Sequence, residues 1–345
     1  MHECFLKKSE VKRLCEFLST TYELCVINRK GENLFWKKFD PKEIDEIVIS
    51  EYRPSEPLKS FIFKSKEKVL DQFKDFEKKS RPMAILGAKA CDLHSLKVLD
   101  YVYMEGDFKD PFYIKMRESS LIISADCTAF KDVCFCTGID VMPFPSENFD
   151  LNFSELKDGY IVAVGSNKGR NVIEESGIAT CAVTDAQRKK FQENKNLLLK
   201  RLQASVDFMK LPERESLKDG IMANFKSELW DNFSSKCVEC GGCNVICPTC
   251  HCFLLVDQKE ADKYQRLKVW DSCLMKRFAR VAGGANPRKH LSERLRNRFI
   301  KKFEFFPEVL KLYACTGCGR CIEACPGDID IREVLKEACK VKASR

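Results

Sequence analysis

Histidine is scarce in this chain: four among 345 residues, scattered at His2, His94, His251 and His290. That shortage excludes a metal centre built on imidazoles. No run of about 18 apolar residues appears, so no membrane span is expected. The start, MHECFLKKSE, lacks an apolar signal core and a twin-arginine leader, and a cytoplasmic location is expected. No Ser/His/Asp triad or paired-carboxylate arrangement offers hydrolytic chemistry. The stretch GSNKG at 165–169 lacks the full dinucleotide fingerprint and the Walker lysine pattern, and it reads as a turn.

What is abundant is cysteine, with twenty residues. Disulfide frameworks belong mostly to small secreted domains. This chain is larger, carries no recognisable export signal and groups its cysteines at metal-ligand spacing, which reads as metal binding in a reducing cytosol. Thiolate-only ligation suits zinc or iron–sulfur clusters. The composition, 44% hydrophobic and 32% charged, suits a globular protein.

The formal net charge is +8. Much of it lies between Lys276 and Lys302, where Lys276, Arg277, Arg280, Arg288, Lys289, Arg294, Arg296, Arg298, Lys301 and Lys302 face the single acid Glu293. A solvated helix face is the expected reading, with a docking surface for an acidic partner next. No nucleic-acid motif accompanies the charge, so nucleic acid is not an expected partner.

Strand-like and helix-like segments alternate through the first part of the chain. Residues 9–18 read as a helix capped by Ser9. Leu24–Asn28 and Asn33–Trp36 read as strands, as do 82–86, Leu121–Ser124 and Tyr160–Val164. Asp92 is the expected N-cap of a helix from about Leu93 to Tyr101, and another helix is expected near Asn171. Alternation of this kind predicts an α/β domain. A long helix is expected over 186–210, with a linker at 212–215. The fold class is therefore α+β: an N-terminal α/β domain, residues 1–215, followed by a mostly helical two-cluster ferredoxin domain, residues 216–345.

Two runs carry the strongest signal. Cys237, Cys240, Cys243, Cys247 and Pro248 form one C-x2-C-x2-C-x3-C-P motif, and Cys315, Cys318, Cys321, Cys325 and Pro326 form the other. Three thiolates two residues apart wrap one corner of a cube if the backbone curls tightly. Gly241 and Gly242, and Gly317 and Gly319, permit that curl. The fourth cysteine points away and ligates the other cluster in two-cluster ferredoxins. Cys237, Cys240, Cys243 and Cys325 are accordingly expected to hold one [4Fe–4S] cluster. Cys315, Cys318, Cys321 and Cys247 are expected to hold a second. Zinc knuckles are the rival reading, but zinc sites more often pair two CxxC units across a longer gap.

Seven further cysteines bear on function. Cys91, Cys127, Cys134 and Cys136 lie close in sequence without ferredoxin spacing. Cys91 and Cys127 both follow predicted strands, at the end of a sheet where loops build sites. A third [4Fe–4S] cluster and four separate core thiols are both open on spacing alone. Cys250, Cys252 and Cys273 lie between the two motifs, in a stretch expected to be helical. They are either buried thiols or ligands of a substrate-binding cluster in a catalytic reductase. Cys4, Cys15, Cys25, Cys181 and Cys339 are expected to be structural, and His94 is expected to face solvent.

The segments ILGAKACDLHSL, SADCTAFKDVCFCTG, KCVECGGCNVICPTCHC, VWDSCLMKRFARVAGGANPR and CTGCGRCIEACPGDIDI, spread over residues 56–340, carry a resemblance. The chain resembles the iron–sulfur (4Fe–4S dicluster) family shared by anaerobic sulfite reductases and the β subunit of cytoplasmic sulfhydrogenases. That resemblance implies a non-catalytic relay subunit of a larger complex. It implies electrons passing between two partners, one that binds flavin and NAD(P)H and one that is catalytic: a sulfite reductase, a hydrogenase or another reductase. It also favours the third cluster at Cys91, Cys127, Cys134 and Cys136. Lys89-Ala90 ahead of Cys91 departs from the Arg-Pro expected of the family.

Overall fold

The computed structural model describes residues 2–71, 74–75, 81–261 and 263–340. Its strands run in chain order as β1 (His2–Lys7), β2 (Glu23–Lys30), β3 (Asn33–Lys38), β4 (Lys66–Asp71), β5 (Lys74–Asp75) and β6 (Met83–Ala88). There follow β7 (Leu121–Ala125), β8 (Leu151–Glu155), β9 (Gly159–Val164), β10 (Thr180–Cys181), β11 (Phe253–Glu260) and β12 (Lys263–Trp270).

Eight of them form one sheet in the order β10-β1-β9-β8-β7-β6-β2-β3. Its centre is parallel, through the pairs β2–β6, β6–β7 and β7–β8. Its flanks are antiparallel. The central strand β7, LIISA, is buried at every position, as expected of a parallel strand covered on both faces. Leu121, Ile123 and Ala125 join Leu14 and Leu18 of the helix Glu10–Thr21 on one face. Ile122 and Ile85 meet Leu93, Leu96 and Leu99 of the helix Ala90–Asp100 on the other.

Gly87 marks where the sheet turns its chain toward a site. Its φ of +106° and the shifted β6–β7 register form a bulge at the carboxyl end of β6. A Cβ there would press on the Ile27 side chain at 2.8 Å. The bulge re-aims the chain into the loop that carries Lys89 and Cys91.

After residue 214 the helices Arg214–Ala223, Leu229–Ser234, Leu291–Ile300 and Ile331–Lys340 gather around a second apolar core. Leu217, Ile221, Trp230, Leu295, Phe299, Val334 and Leu335 form it, and Phe135, Ile139 and Val141 from the first part of the chain pack into it.

Three local expectations are corrected. The helix expected from Leu93 begins at Ala90, with Lys89 as its N-cap, so Asp92 sits within the first turn. Residues 253–270, expected to be helical, form the hairpin β11–β12. β12 pairs with β4, nearly two hundred residues away in sequence, in a sheet ordered β11-β12-β4-β5. The GSNKG stretch is a helix start, where the Ser166 hydroxyl accepts from the Gly169 amide at 3.1 Å.

Candidate iron–sulfur sites

The two C-x2-C-x2-C-x3-C-P loops share one backbone path. Glu239 and Gly317 hold equivalent places, with φ of +53° and +61°. Gly241 and Gly319 do likewise, with φ of +71° and +70°, and each starts a four-residue helix carrying the third cysteine. The amides of Glu239 and Gly317 donate to the thiols of Cys237 and Cys315, two residues behind each. The Ile329 amide donates to Cys325 Sγ at 3.3 Å. Amides aimed at sulfur offset the negative charge of bound thiolates.

The fourth cysteine of each run crosses to the other. Cys325 stands beside Cys237, and Cys247 stands beside Cys315 and Cys321. Cys237, Cys240, Cys243 and Cys325 line one pocket together with Cys321 and Pro326. Among the described residues, no three His, Cys, Asp or Glu side chains converge closely enough to hold a single ion. Soft thiols that surround a common space are the ligand type that iron–sulfur clusters and zinc both take.

In the N-terminal part, Cys127 neighbours Cys91, Cys134 and Cys136. Cys91 enters from the loop after β6 and Cys127 from the loop after β7, while Cys134 and Cys136 come from the following segment. This set touches the second ferredoxin loop. Cys318 neighbours both Cys91 and Cys134, and the Phe135 amide donates to the Gly317 carbonyl at 2.8 Å. A Cβ on Gly317 would overlap the Cys136 backbone. The other C-terminal contact continues the line, because Cys243 neighbours Cys321 and Cys247.

Buried cations surround these thiols, and the sequence reading missed them. Arg294, Arg298 and Lys302 are 2, 5 and 5% exposed. They share one face of the helix Leu291–Ile300 and the π-turn Lys301–Phe305 that follows it. The expectation of a solvated face therefore fails for that stripe. Lys302 Nζ donates to Cys247 Sγ at 3.2 Å and to Thr249 Oγ1 at 2.8 Å. Arg298 Nε donates to Asn244 Oδ1 at 3.0 Å. The available signal was the spacing of four, with apolar Leu295, Phe299 and Phe303 following each basic residue on the same buried side.

Lys89, where the chain departs from the expected Arg-Pro, is fully buried, and its ammonium donates to the Ile49 carbonyl at 2.7 Å. Cys127 and Cys91 are among its neighbours. Arg320 forms a bidentate pair with Asp92, both contacts at 2.9 Å, with neither side chain more than 1% exposed. Asp92 also accepts from the Leu58 amide at 3.2 Å. The carboxylate expected to cap a helix thus ties the helix after β6 to the second ferredoxin loop.

Burial sets the proton affinity of most ligand candidates. It pushes Cys127 and Cys315 up to about 12, and Cys243 up to about 11. Cys91 and Cys136 lie well above the usual thiol value for the same reason. Such groups are thiols when empty and release protons on binding metal. Cys247 lies well below the usual value, through a hydrogen bond from Cys250 and then the nearby Lys302, Arg298 and Lys59. His94 does not face open solvent: Nε2 is enclosed without a hydrogen-bond partner, and burial lowers its pKa to about 4. Cys4, Cys15 and Cys25 are buried, Cys339 is half-buried beside Ser216, and Cys181 is exposed.

A family described as a 4Fe-4S dicluster domain matches residues 236–329, the span that holds both motifs. The chain is 33% identical over 298 residues to the sulfhydrogenase 2 subunit beta of Pyrococcus furiosus, covering 85% of this chain and 86% of that protein. This chain belongs to the iron–sulfur subunit family that includes the sulfhydrogenase β subunit.

Proposed function

We propose that this chain is an electron-transfer iron–sulfur subunit of a multisubunit oxidoreductase, a relay with no substrate chemistry of its own in its three thiol sets. One observation carries the reading: the sets stand in series. Cys91, Cys127, Cys134 and Cys136 neighbour the second motif through Cys318, and the second motif neighbours the first through Cys321 and Cys247. The [4Fe–4S] clusters that such sets bind supply one-electron redox chemistry. The protein's own residues fix the thiols, exclude water from the middle of the line and surround it with positive charge.

In this reading the chain has two domains, residues 1–215 and 216–345, joined by the shared core and by the Asp92–Arg320 pair. The first domain brings a third cluster site, held by Cys91, Cys127, Cys134 and Cys136. The second holds two clusters, one on Cys237, Cys240, Cys243 and Cys325 and one on Cys315, Cys318, Cys321 and Cys247. The partners are two: one subunit that binds flavin and NAD(P)H, and one catalytic subunit, a hydrogenase or another reductase. A cytoplasmic location belongs to the same reading, because free thiols persist in a reducing compartment. Among the described residues no helix is long and apolar enough to cross a membrane.

The test is anaerobic purification of the native complex, with iron counting and identification of the co-purifying subunits. Cys91→Ala with Cys127→Ala is expected to remove about four iron atoms per chain and to leave both ferredoxin-type signals. A chain that co-purifies with no redox partner, and whose clusters resist reduction by dithionite, overturns the relay.

A further inference from the structure

A cavity of about 320 Å³ opens beside the second thiol set. It is within the size range of small-ligand pockets. Cys250, Cys252 and Cys273 line it, together with Arg288, Arg298, Lys301 and Lys302, and no carboxylate does. The relay described above uses none of these three thiols.

Their surroundings are not those of packed core cysteines. Cys252 and Cys273 are hydrogen-bonded to each other. The Asn244 side chain joins Cys273 to Cys250: Nδ2 donates to Cys273 Sγ at 3.3 Å, and Oδ1 lies 3.5 Å from Cys250 Sγ. Three buried cations face the group. Lys59 donates to the carbonyls of Asn244 and Cys250 at 3.4 and 3.1 Å, with its ammonium 4.4 Å from the Trp270 ring centre. Arg298 and Lys302 complete the set. No carboxylate lines the cavity beside these cations, and burying uncompensated charge is costly; a thiolate-held cluster would supply the missing anion.

We propose that Cys250, Cys252 and Cys273 hold a further [4Fe–4S] cluster, with one iron lacking a protein thiolate and open to the cavity for a small anion. No fourth cysteine lines the cavity among the described residues. The basic lining selects the sign of the ligand, and the cavity limits its size. This site goes beyond the relay and does not depend on the N-terminal set. Cys250 contacts Cys247, so the added site adjoins the second thiol set of the series.

The experiment uses the full chain, loaded anaerobically with iron and sulfide, and its Cys250→Ala, Cys252→Ala, Cys273→Ala triple variant. Cyanide serves as the anionic probe. The wild type is expected to carry about four more iron atoms than the variant, and its electron paramagnetic resonance spectrum is expected to change with cyanide. The variant keeps the other cluster signals and loses the cyanide response. Equal iron in both proteins, zinc in place of iron, or a wild type indifferent to cyanide overturns the proposal. If the variant does not fold, the cyanide response of the wild type decides alone, because clusters with four thiolates have no open iron. Failure here leaves reduction of the ferredoxin-type clusters untouched, so the two readings fail separately.

Discussion

The two ferredoxin runs have the same cysteine spacing and the same backbone turns, yet they occupy opposite settings. The first lies toward the surface: Cys240 is exposed, and Cys237 and Cys243 are half-buried. The second is enclosed, with Cys315 and Cys318 buried and Cys315 packed with Cys134, Phe135 and Cys136 from the first part of the chain. At the residue before the third cysteine the first run has Gly242 and the second has Arg320, which reaches Asp92 from the first part of the chain. Equal spacing therefore fixes how each loop wraps its ligands, while the residues between the cysteines decide what each loop faces. A surface position suits exchange with a partner protein; an enclosed one suits passage within the chain.

The sharpest way to break this contrast is Asp92→Ala. It leaves the Arg320 guanidinium buried without its carboxylate, an expected loss of about 3–5 kcal/mol. Anaerobic denaturant unfolding measures the loss, and iron counting is expected to show it at the second run and the N-terminal set. Retention of full iron and stability would remove the claim that the pair ties the second run to the helix after β6.

A milder comparison uses glycine. Gly317→Ala places a methyl on a left-handed residue against the Cys136 backbone, which has no room to retreat. Gly241→Ala has the same left-handed cost, about 1–2 kcal/mol, but its methyl meets the flexible end of Met275 at 2.9 Å. Gly317→Ala is therefore expected to lose iron and stability well beyond Gly241→Ala. Equal losses would mean that the two loops are equally confined.

The smallest effect is electrical. Lys302→Met removes a positive charge from Cys247, which disfavours the more negative reduced state and lowers the potential of the cluster on the second run. The change is on the order of 1–2 kcal/mol at an effective dielectric near 20, or roughly tens of millivolts. The cluster on the first run is expected to shift less. Redox titration followed by electron paramagnetic resonance reads both. An unchanged second potential would make Lys302 a packing residue only.

Much of this was legible in the sequence. The strands β2, β3, β6, β7 and β9 and the long helix Asp185–Phe208 follow from local apolar patterns, whereas β4 and β8 were not anticipated. The two runs of ferredoxin spacing are visible in the sequence, and the dicluster family match covers them. The sequence reading also brought Cys91 and Cys127 to one end of a sheet. What it missed depends on distant partners. β11–β12 is paired to β4 from far upstream, and no local pattern announces that pairing. Asp92 looked like a cap because its true partner is Arg320, 228 positions away. Arg294, Arg298 and Lys302 looked solvated because charge usually marks a wet face, and here Arg294 meets Glu239 while Arg298 and Lys302 meet thiols, all from another part of the chain.

Those inward-facing cations bear on how the protein is made. Before iron arrives, most of the surrounding sulfur is protonated, and Lys59, Arg298 and Lys302 have few anions to face. Burial pushes Lys59 toward its neutral form, but the like charges of Arg298 and Lys302 in a dry interior oppose the closure of the region that encloses them. The C-terminal core is therefore expected to close less tightly in the iron-free chain than in the iron-loaded one, a difference that limited proteolysis of the two forms side by side would read.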